Sequence, residues 1–371
     1  MIAGAVADDL TGALEVGALA AAVGIRTSVA LGADQAGGVE ADLLVVDAET
    51  RRPTPDREER FAAALACVSW AEPWVYVKVD STLRGSIAAH LATVADRFPR
   101  RRLVYVPAYP AMGRTVVDGV LRVDGRELAE TAFATDVHDP AISSSVIGVF
   151  SGVLPVAGIP SADALRRRFA VDSPAEAAPV VMVCDGGTEE DLDALASVLE
   201  GSGAVMAGSG GFAARWVRML PGPRRPPPSL PVLRRPLVVC GSRHPASLAQ
   251  LDVAEQRGVP VLRPISGRHS TGDPATDPAL VAAELAARAA DTIGRLRPDV
   301  VVLIGGDTTF DTLRALGCSR LDSLGEVLPG VPISRAAEAD LTIVSKAGGF
   351  GAHDAVSAIL ERLSVSGGQA R

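Results

Sequence analysis

Two adjacent carboxylates, Asp8 and Asp9, close an apolar run that begins at Ile2, and Thr11, Gly12 and a helical apolar pattern follow at once. Read physically this is a buried strand, a sharp turn and a helix. Acids at the carboxyl end of a first strand lie where open α/β sheets bind ligands, beside a helix N-terminus whose free N–H groups favour anions. The plainer alternative is that one of them N-caps the helix, a task for which a single acid suffices. Aspartates each closed off in an ion pair of their own would leave no acid for chemistry.

A second polar cluster lies at 76–85, YVKVDSTLRG. The strand period of two puts Lys78 and Asp80 on one face, and a turn then carries Ser81, Thr82, Arg84 and Gly85. A point charge, a carboxylate, hydroxyls and a planar guanidinium suit a small hydroxylated acid. They equally suit a Lys78–Asp80 pair and an Arg84 that caps a helix. Residues 107–114, PAYPAMGR, fix a rigid loop tip bearing Arg114, and 131–145 carries Asp136, His138, Asp139 and consecutive serines without periodicity, as a pocket wall would.

In the second half, glycine-bearing turns follow strand-like runs at 240–247 (CGSRHPAS), 304–309 (IGGDTT) and 345–351 (SKAGGFG). Glycine lets backbone N–H groups approach phosphate closely. Any one of these turns reads as a tight connection. Together, with Ser242, Thr308 and Lys346 supplying polar contacts, they form a nucleotide-site pattern. Neither GxxxxGK[ST] nor an intact GxGxxG fingerprint with its later acid is present. Asp307 either holds Mg²⁺ through water or caps the helix beginning beside it.

The elements that must position these groups alternate in βαβ rhythm. Strands are expected at 29–31, 43–47, 75–79 and 103–107, with helices over 56–70 and 86–98. Residues 113–130 switch to alternation with Asp118-Gly119 and Asp124-Gly125 turns, a hairpin excursion. Strands at 146–150, 180–184 and 204–207 follow, with one helix capped at Thr188 and another after Gly210-Gly211. Seven prolines in the sixteen residues 221–236 forbid a helix and mark a domain boundary. Beyond it come strands at 237–240, 259–262, 300–304 and 341–344, and helices at 247–257, 278–296, from Thr308, and 353–363. The fold expected is α/β, with two domains that are each a mostly parallel sheet flanked by helices. The division is 1–220, a linker at 221–236, and 237–371.

A chain of 371 residues exceeds what a single core usually organises. No apolar run approaches the ~18 residues of a membrane span, despite a mean hydropathy of +0.25. The start lacks a secretory signal, so a cytoplasmic location is expected. Cys67, Cys184, Cys240 and Cys318 lack CxxC spacing and read as buried free thiols. A net charge of −8 with 4% aromatics argues against a nucleic-acid surface.

ADDLTGA, KVDSTLRG, PAYPAMGRTVVDG, the proline-rich joint, CGSRHPAS, GGDTT and SKAGGFG occur in an order that resembles the four-carbon acid sugar kinases across nearly the whole chain. The resemblance implies an N-terminal acid-sugar-binding domain, a C-terminal nucleotide-binding domain, and ATP-dependent phosphorylation of a tetronate or 3-oxo-tetronate hydroxyl, with Mg²⁺. Asp8 and Asp9 are then the catalytic candidates. Lys78, Asp80, Ser81, Arg84 and Arg114 fall on the sugar side. Ser242, Gly305, Gly306, Asp307, Thr308, Lys346, Gly348, Gly349 and Gly351 fall on the nucleotide side. A small acid sugar is the expected partner, with neither nucleic acid nor membrane, and a homodimer is possible. The alternatives are a two-lobed acid-sugar-binding protein without turnover and a kinase of a related hydroxy acid.

Overall fold

The computed structural model describes residues 1–71, 73–135, 140–141, 143–171, 180–232, 234–242, 244–264, 278–348 and 351–365. The front half opens with β1 (Ala3–Ala7), α1 (Leu10–Ala22), β2 (Thr27–Ala30), β3 (Leu43–Asp47), α2 (Arg57–Val68), β4 (Val75–Lys78), α3 (Ile87–Arg97) and β5 (Leu103–Val106). A small antiparallel sheet follows, β6 (Arg114–Val117), β7 (Val120–Val123) and β8 (Arg126–Glu127). The front half closes with β9 (Val156–Ile159), α4 (Ala162–Val171), β10 (Val181–Cys184), α5 (Glu189–Leu199), β11 (Val205–Gly208) and α6 (Gly210–Met219). The back half starts with β12 (Pro236–Cys240), α7 (Pro245–Gln256), β13 (Val261–Leu262), α8 (Pro278–Leu296) and β14 (Val300–Ile304). It ends with α9 (Gly306–Ala315), β15 (Arg320–Leu328), β16 (Val331–Ala336), β17 (Leu341–Lys346) and α10 (Ala355–Val365).

Every residue of β1, β3, β4 and β5 is buried, as expected of apolar runs covered by helices on both faces. The front strands β2-β3-β1-β4-β11-β5-β10-β9 are mutually parallel, and so are β13-β12-β14-β17 behind. These two parallel sections, expected from the sequence, are joined edge to edge into one fourteen-stranded sheet by the antiparallel pair β15 and β16. The back strands therefore run in the opposite nominal sense to the front ones. Six strand-to-strand steps separate β1 from β14, and the usual twist accumulates over them to roughly 120–150°. A rotation of that size between sections of opposite sense brings their carboxyl ends to one side of the sheet, where Gly306 lies against Thr11.

α1 packs on β15 as well as on its own sheet. Gly17 makes the approach possible, because a Cβ there would lie 2.3 Å from Ser323 Oγ. The proline-rich run is strapped to the front half: Arg225 N donates to Gly24 O at 2.9 Å, and Arg224 donates to Arg218 O at 3.1 Å and Leu220 O at 2.8 Å behind α6. One apolar cluster crosses both halves, and a smaller one packs β12 and β14 against α7 and α10.

Residues 146–150 are not a strand. They form a single-turn 3₁₀ helix, Ile147–Phe150, because Ser145 Oγ accepts the Gly148 N–H at 3.0 Å and Ser143 Oγ accepts the Ser145 N–H at 3.1 Å. Such local bonds compete with a ladder. The helix expected from Thr308 begins at Gly306 with Gly305 as its N-cap, so Asp307 lies inside the first turn and does not cap it. The elements β9, α4, β15 and β16 were not expected from the sequence. The loop carrying Asp136, His138 and Asp139 lies outside the described residues. Among the described residues no helix is long and apolar enough to cross a membrane, and all four cysteines are free thiols.

Candidate active site at the junction of the two halves

The turn after β1 carries Asp8 and Asp9. Asp9 is the N-cap of α1, its Oδ1 accepting the Gly12 N–H at 2.7 Å, so the plain capping role is real for one of its oxygens. The partner of both acids is Arg51, four residues beyond β3. It grips Asp8 in bidentate fashion, Nη2 to Oδ1 at 2.8 Å and Nε to Oδ2 at 3.1 Å, while its Nη1 donates to Asp9 Oδ2. Arg51 Nη1 also lies 3.6 Å from Asp80 Oδ1. One guanidinium is thus shared by three carboxylates, rather than each aspartate having a pair of its own. The Asp8 side chain is 1% exposed and Asp9 17%. A carboxylate offers about four lone-pair sites; Asp9 spends two and remains reachable, whereas Asp8 is closed off.

Burial raises the Asp9 carboxyl, and the neighbouring Arg51 offsets this only in part. Asp80 behaves oppositely: against the cost of burial, Arg51 and Arg84 hold it well below the ordinary carboxylate range. Arg84 is fixed on Asp80 through Nε and Nη2, each at 3.0 Å, and Thr82 N–H donates to the same acid at 3.0 Å. Lys78 does not pair with Asp80. It is buried against the first turn of α1, 3.3 Å from Glu15 Oε2. Ser81 sits half-buried in the turn. Arg84 and Arg114 both lie over one ring, their guanidinium carbons 5.3 and 5.9 Å from the Phe133 centroid.

The back half answers with backbone. Gly305 takes φ 108° at the start of α9, and its N–H donates to Lys346 O at 2.9 Å. Ser242 is packed against Gly348 so closely that a Cβ on the glycine would lie 2.4 Å from Ser242 Oγ. Ser247 Oγ bonds both Ser242 Oγ and Gly348 O. Thr308 is buried behind Gly241 and Gly305. Lys346 is buried at the end of β17, donating to Ala347 O at 2.9 Å, and desolvation lowers its pKa to about 8. Gly351, at φ 84°, closes the rim. Gly349 lies outside the described residues.

The two sets meet. A Cβ on Gly306 would sit 3.1 Å from Thr11 Oγ1, which places the N-terminus of α9 against the first turn of α1. Arg52 of the front half forms an ion pair with Asp307 of the back. Beside them Glu49 holds a left-handed backbone, φ 48°, and its carboxyl is raised to about 7 by burial and then by Asp9 and Asp307. Arg51, Arg52, Glu49 and Glu15 were not singled out from the sequence. The signal was present, since 47–52 (DAETRR) follows β3 as ADDLTG follows β1.

The profile of a sugar-binding N-terminal domain matches residues 3–216, and that of a nucleotide-binding C-terminal domain matches 266–356. The chain is 32% identical to a D-threonate kinase of Bordetella bronchiseptica over 97% of this chain and 98% of the relative. To a 3-oxo-tetronate kinase of Pseudomonas savastanoi pv. phaseolicola it is 24% identical, covering 97% of each. A crystal structure from Salmonella typhimurium LT2, described as a putative tRNA synthase, shares the fold with a TM-score of 0.81 at 21% identity, over 98% of this chain and 99% of that one. A second, from Bordetella bronchiseptica with bound citrate, is a domain-swapped dimer with a TM-score of 0.53 at 28% identity, over 98% of this chain and 99% of that one.

Proposed function

The chain belongs to the four-carbon acid sugar kinases, built from a sugar-binding N-terminal domain and a nucleotide-binding C-terminal domain, and we propose that it transfers the γ-phosphate of ATP to a hydroxyl of a tetronate or 3-oxo-tetronate. The observation that carries this reading is the abutment of α9 on α1, Gly306 against Thr11, which sets a phosphate-type glycine rim beside an acid corner. We divide the chain into a sugar-binding part at 1–220, a strap at 221–236 and a nucleotide-binding part at 237–371.

Phosphoryl transfer needs alignment, charge neutralisation and a group to take the hydroxyl proton. Asp9 takes that proton: it is the more open of the two acids, and burial raises its affinity for protons above that of an ordinary aspartate. Asp8 holds Arg51, and Arg51 fixes Asp9 and Asp80. The substrate carboxylate is gripped by Arg84 and Arg114, which converge beside Phe133, while Lys78 neutralises Glu15 from within the core. Asp80 and Ser81 order the turn that presents the sugar hydroxyls. The backbone of 305–308, Gly348 and Gly351, with Ser242 and Lys346, cradles the ATP phosphates. Mg²⁺ that accompanies a nucleotide is commonly held by one or two carboxylates and by phosphate oxygens. Asp307 and Glu49, close enough to perturb one another, would hold it. When bound it would neutralise phosphate charge. The same reading has the protein act in the cytoplasm on a small molecule, not on nucleic acid.

The test is an ADP-release assay with ATP and Mg²⁺ over erythronate, threonate, their oxo forms and longer aldonates. The proposal expects a four-carbon acid to exceed the five- and six-carbon acids by about tenfold or more in kcat/KM, a margin typical of one misfitted carbon unit. Stabilisation by acid sugars alone, with no ADP released, would instead identify a binding protein without turnover.

A further inference from the structure

Next to the acid corner, on the far side of Ala48, a cleft of about 640 Å³ opens between the halves. Its front wall is formed by 31–35 after β2, by Ala48, and by Arg60 and Ala63 of α2; its back wall is formed by Phe310 and Arg314 of α9 and by 317–319. The floor is the seam of the sheet, where Leu31 N–H donates to Ser319 O at 2.9 Å. None of the residues placed above at the sugar or the nucleotide lines it. The volume falls in the range of small-molecule sites, roughly 300–1,000 Å³.

Two guanidiniums face this space, one from each half. Among the described residues neither makes a side-chain hydrogen bond or a close ion pair. Glu49 and Asp56 act on Arg60 only through space, Asp311 does so on Arg314, and Arg314 stacks 5.5 Å from the Phe310 centroid. The one carboxylate in the lining, Asp34, already accepts the Gln35 side-chain N–H at 2.8 Å. The lining thus carries excess positive charge inside a chain whose net charge is −8. Planar forks on opposite walls of a cleft suit carboxylate or phosphate groups at the two ends of one molecule.

We propose that this cleft is a second ligand site, taking a compact polyanion, a phosphate ester or a polycarboxylate, that Arg60 grips from the front half and Arg314 from the back. The occupant spans α2 and α9. Arg314 stands seven residues along α9 from Asp307, which is two turns on the same face, so the bridge parallels the Arg52–Asp307 pair at the other end of that helix.

The test is calorimetric titration of the full chain with inorganic pyrophosphate and, separately, with tricarballylate, in the wild type and in Arg60→Gln, Arg314→Gln and Lys346→Ala. The site predicts a binding event weakened at least tenfold in each arginine variant and retained in Lys346→Ala. Binding of pyrophosphate alone identifies a phosphate-ester ligand, and of tricarballylate alone a polycarboxylate. Arg314 is exposed, so its variant should fold and release ADP at the wild-type rate. Absence of binding by both probes would overturn the proposal, as would binding that survives Arg314→Gln and disappears in Lys346→Ala.

Discussion

The front corner and the back rim face one junction but are made of different material. In front, Asp8, Asp9 and Asp80 gather within reach of a single guanidinium, so the site is a lattice of side-chain charge. Behind, Gly305, Gly306, Gly348 and Gly351 offer main chain, with Ser242 and Lys346 as the few polar side chains close by. A charge lattice fails when one member is removed, because buried partners are left uncompensated. A backbone rim fails when something is added, because the close approach is filled. Three substitutions sharpen or break this contrast.

Arg51→Met should have the largest effect. Asp8, 1% exposed, would lose both its side-chain donors, and uncompensated buried charge typically costs about 3–5 kcal/mol. Denaturant unfolding should show a loss of that order; a loss below about 1 kcal/mol would mean the lattice is not what holds the corner. Gly348→Ala comes next. Its new Cβ would lie 2.4 Å from Ser242 Oγ and 2.9 Å from Ser242 Cβ, so the KM for ATP should rise about tenfold while the KM for the acid sugar stays put. Adding Ser242→Gly should restore much of the loss. An equal rise in both KM values would show that the rim is not confined to nucleotide.

The smallest effect belongs to Glu49→Gln, at the boundary of the two regions. Glu49 is raised from its ordinary 4.5 to about 7, so the folded protein holds a proton there that the unfolded chain releases between those values. Its stabilising contribution is complete below pH 4.5 and is lost as pH rises through 7. Gln cannot ionise. The variant should therefore melt a few degrees above wild type at pH 8 and at nearly the same temperature at pH 5. A gain that is equal at both pH values would contradict the raised pKa of Glu49.

Where local pattern and burial agree, sequence and structure coincide: 43–47, 278–296 and 300–304 are the observed β3, α8 and β14 to the residue. Continuous apolar runs ended by polar residues leave little choice. The glycine turns and the acid pair were legible for the same reason, as breaks at strand ends. Legibility stops where partners are distant. Arg51 was not singled out, because only the fold brings it 43 residues back onto Asp8. The pair β15 and β16 hides its period behind Pro329-Gly330, Pro332 and two register shifts, and with it hides the fusion of the two sheets. The strand carrying Lys78 ends there, so Asp80 falls in the turn beyond it and the period of two does not reach it; α1 supplies Glu15 to the first and that turn supplies Arg84 to the second.

The central claim is that Asp9 accepts the hydroxyl proton while Asp8 serves only to hold Arg51. It is tested most directly by kcat at saturating ATP and acid sugar for Asp9→Asn, with its thermal unfolding measured alongside. The account predicts a fall of about 100-fold or more, the size typical of lost general-base catalysis, in a protein that still folds. A kcat within about threefold of wild type would contradict it.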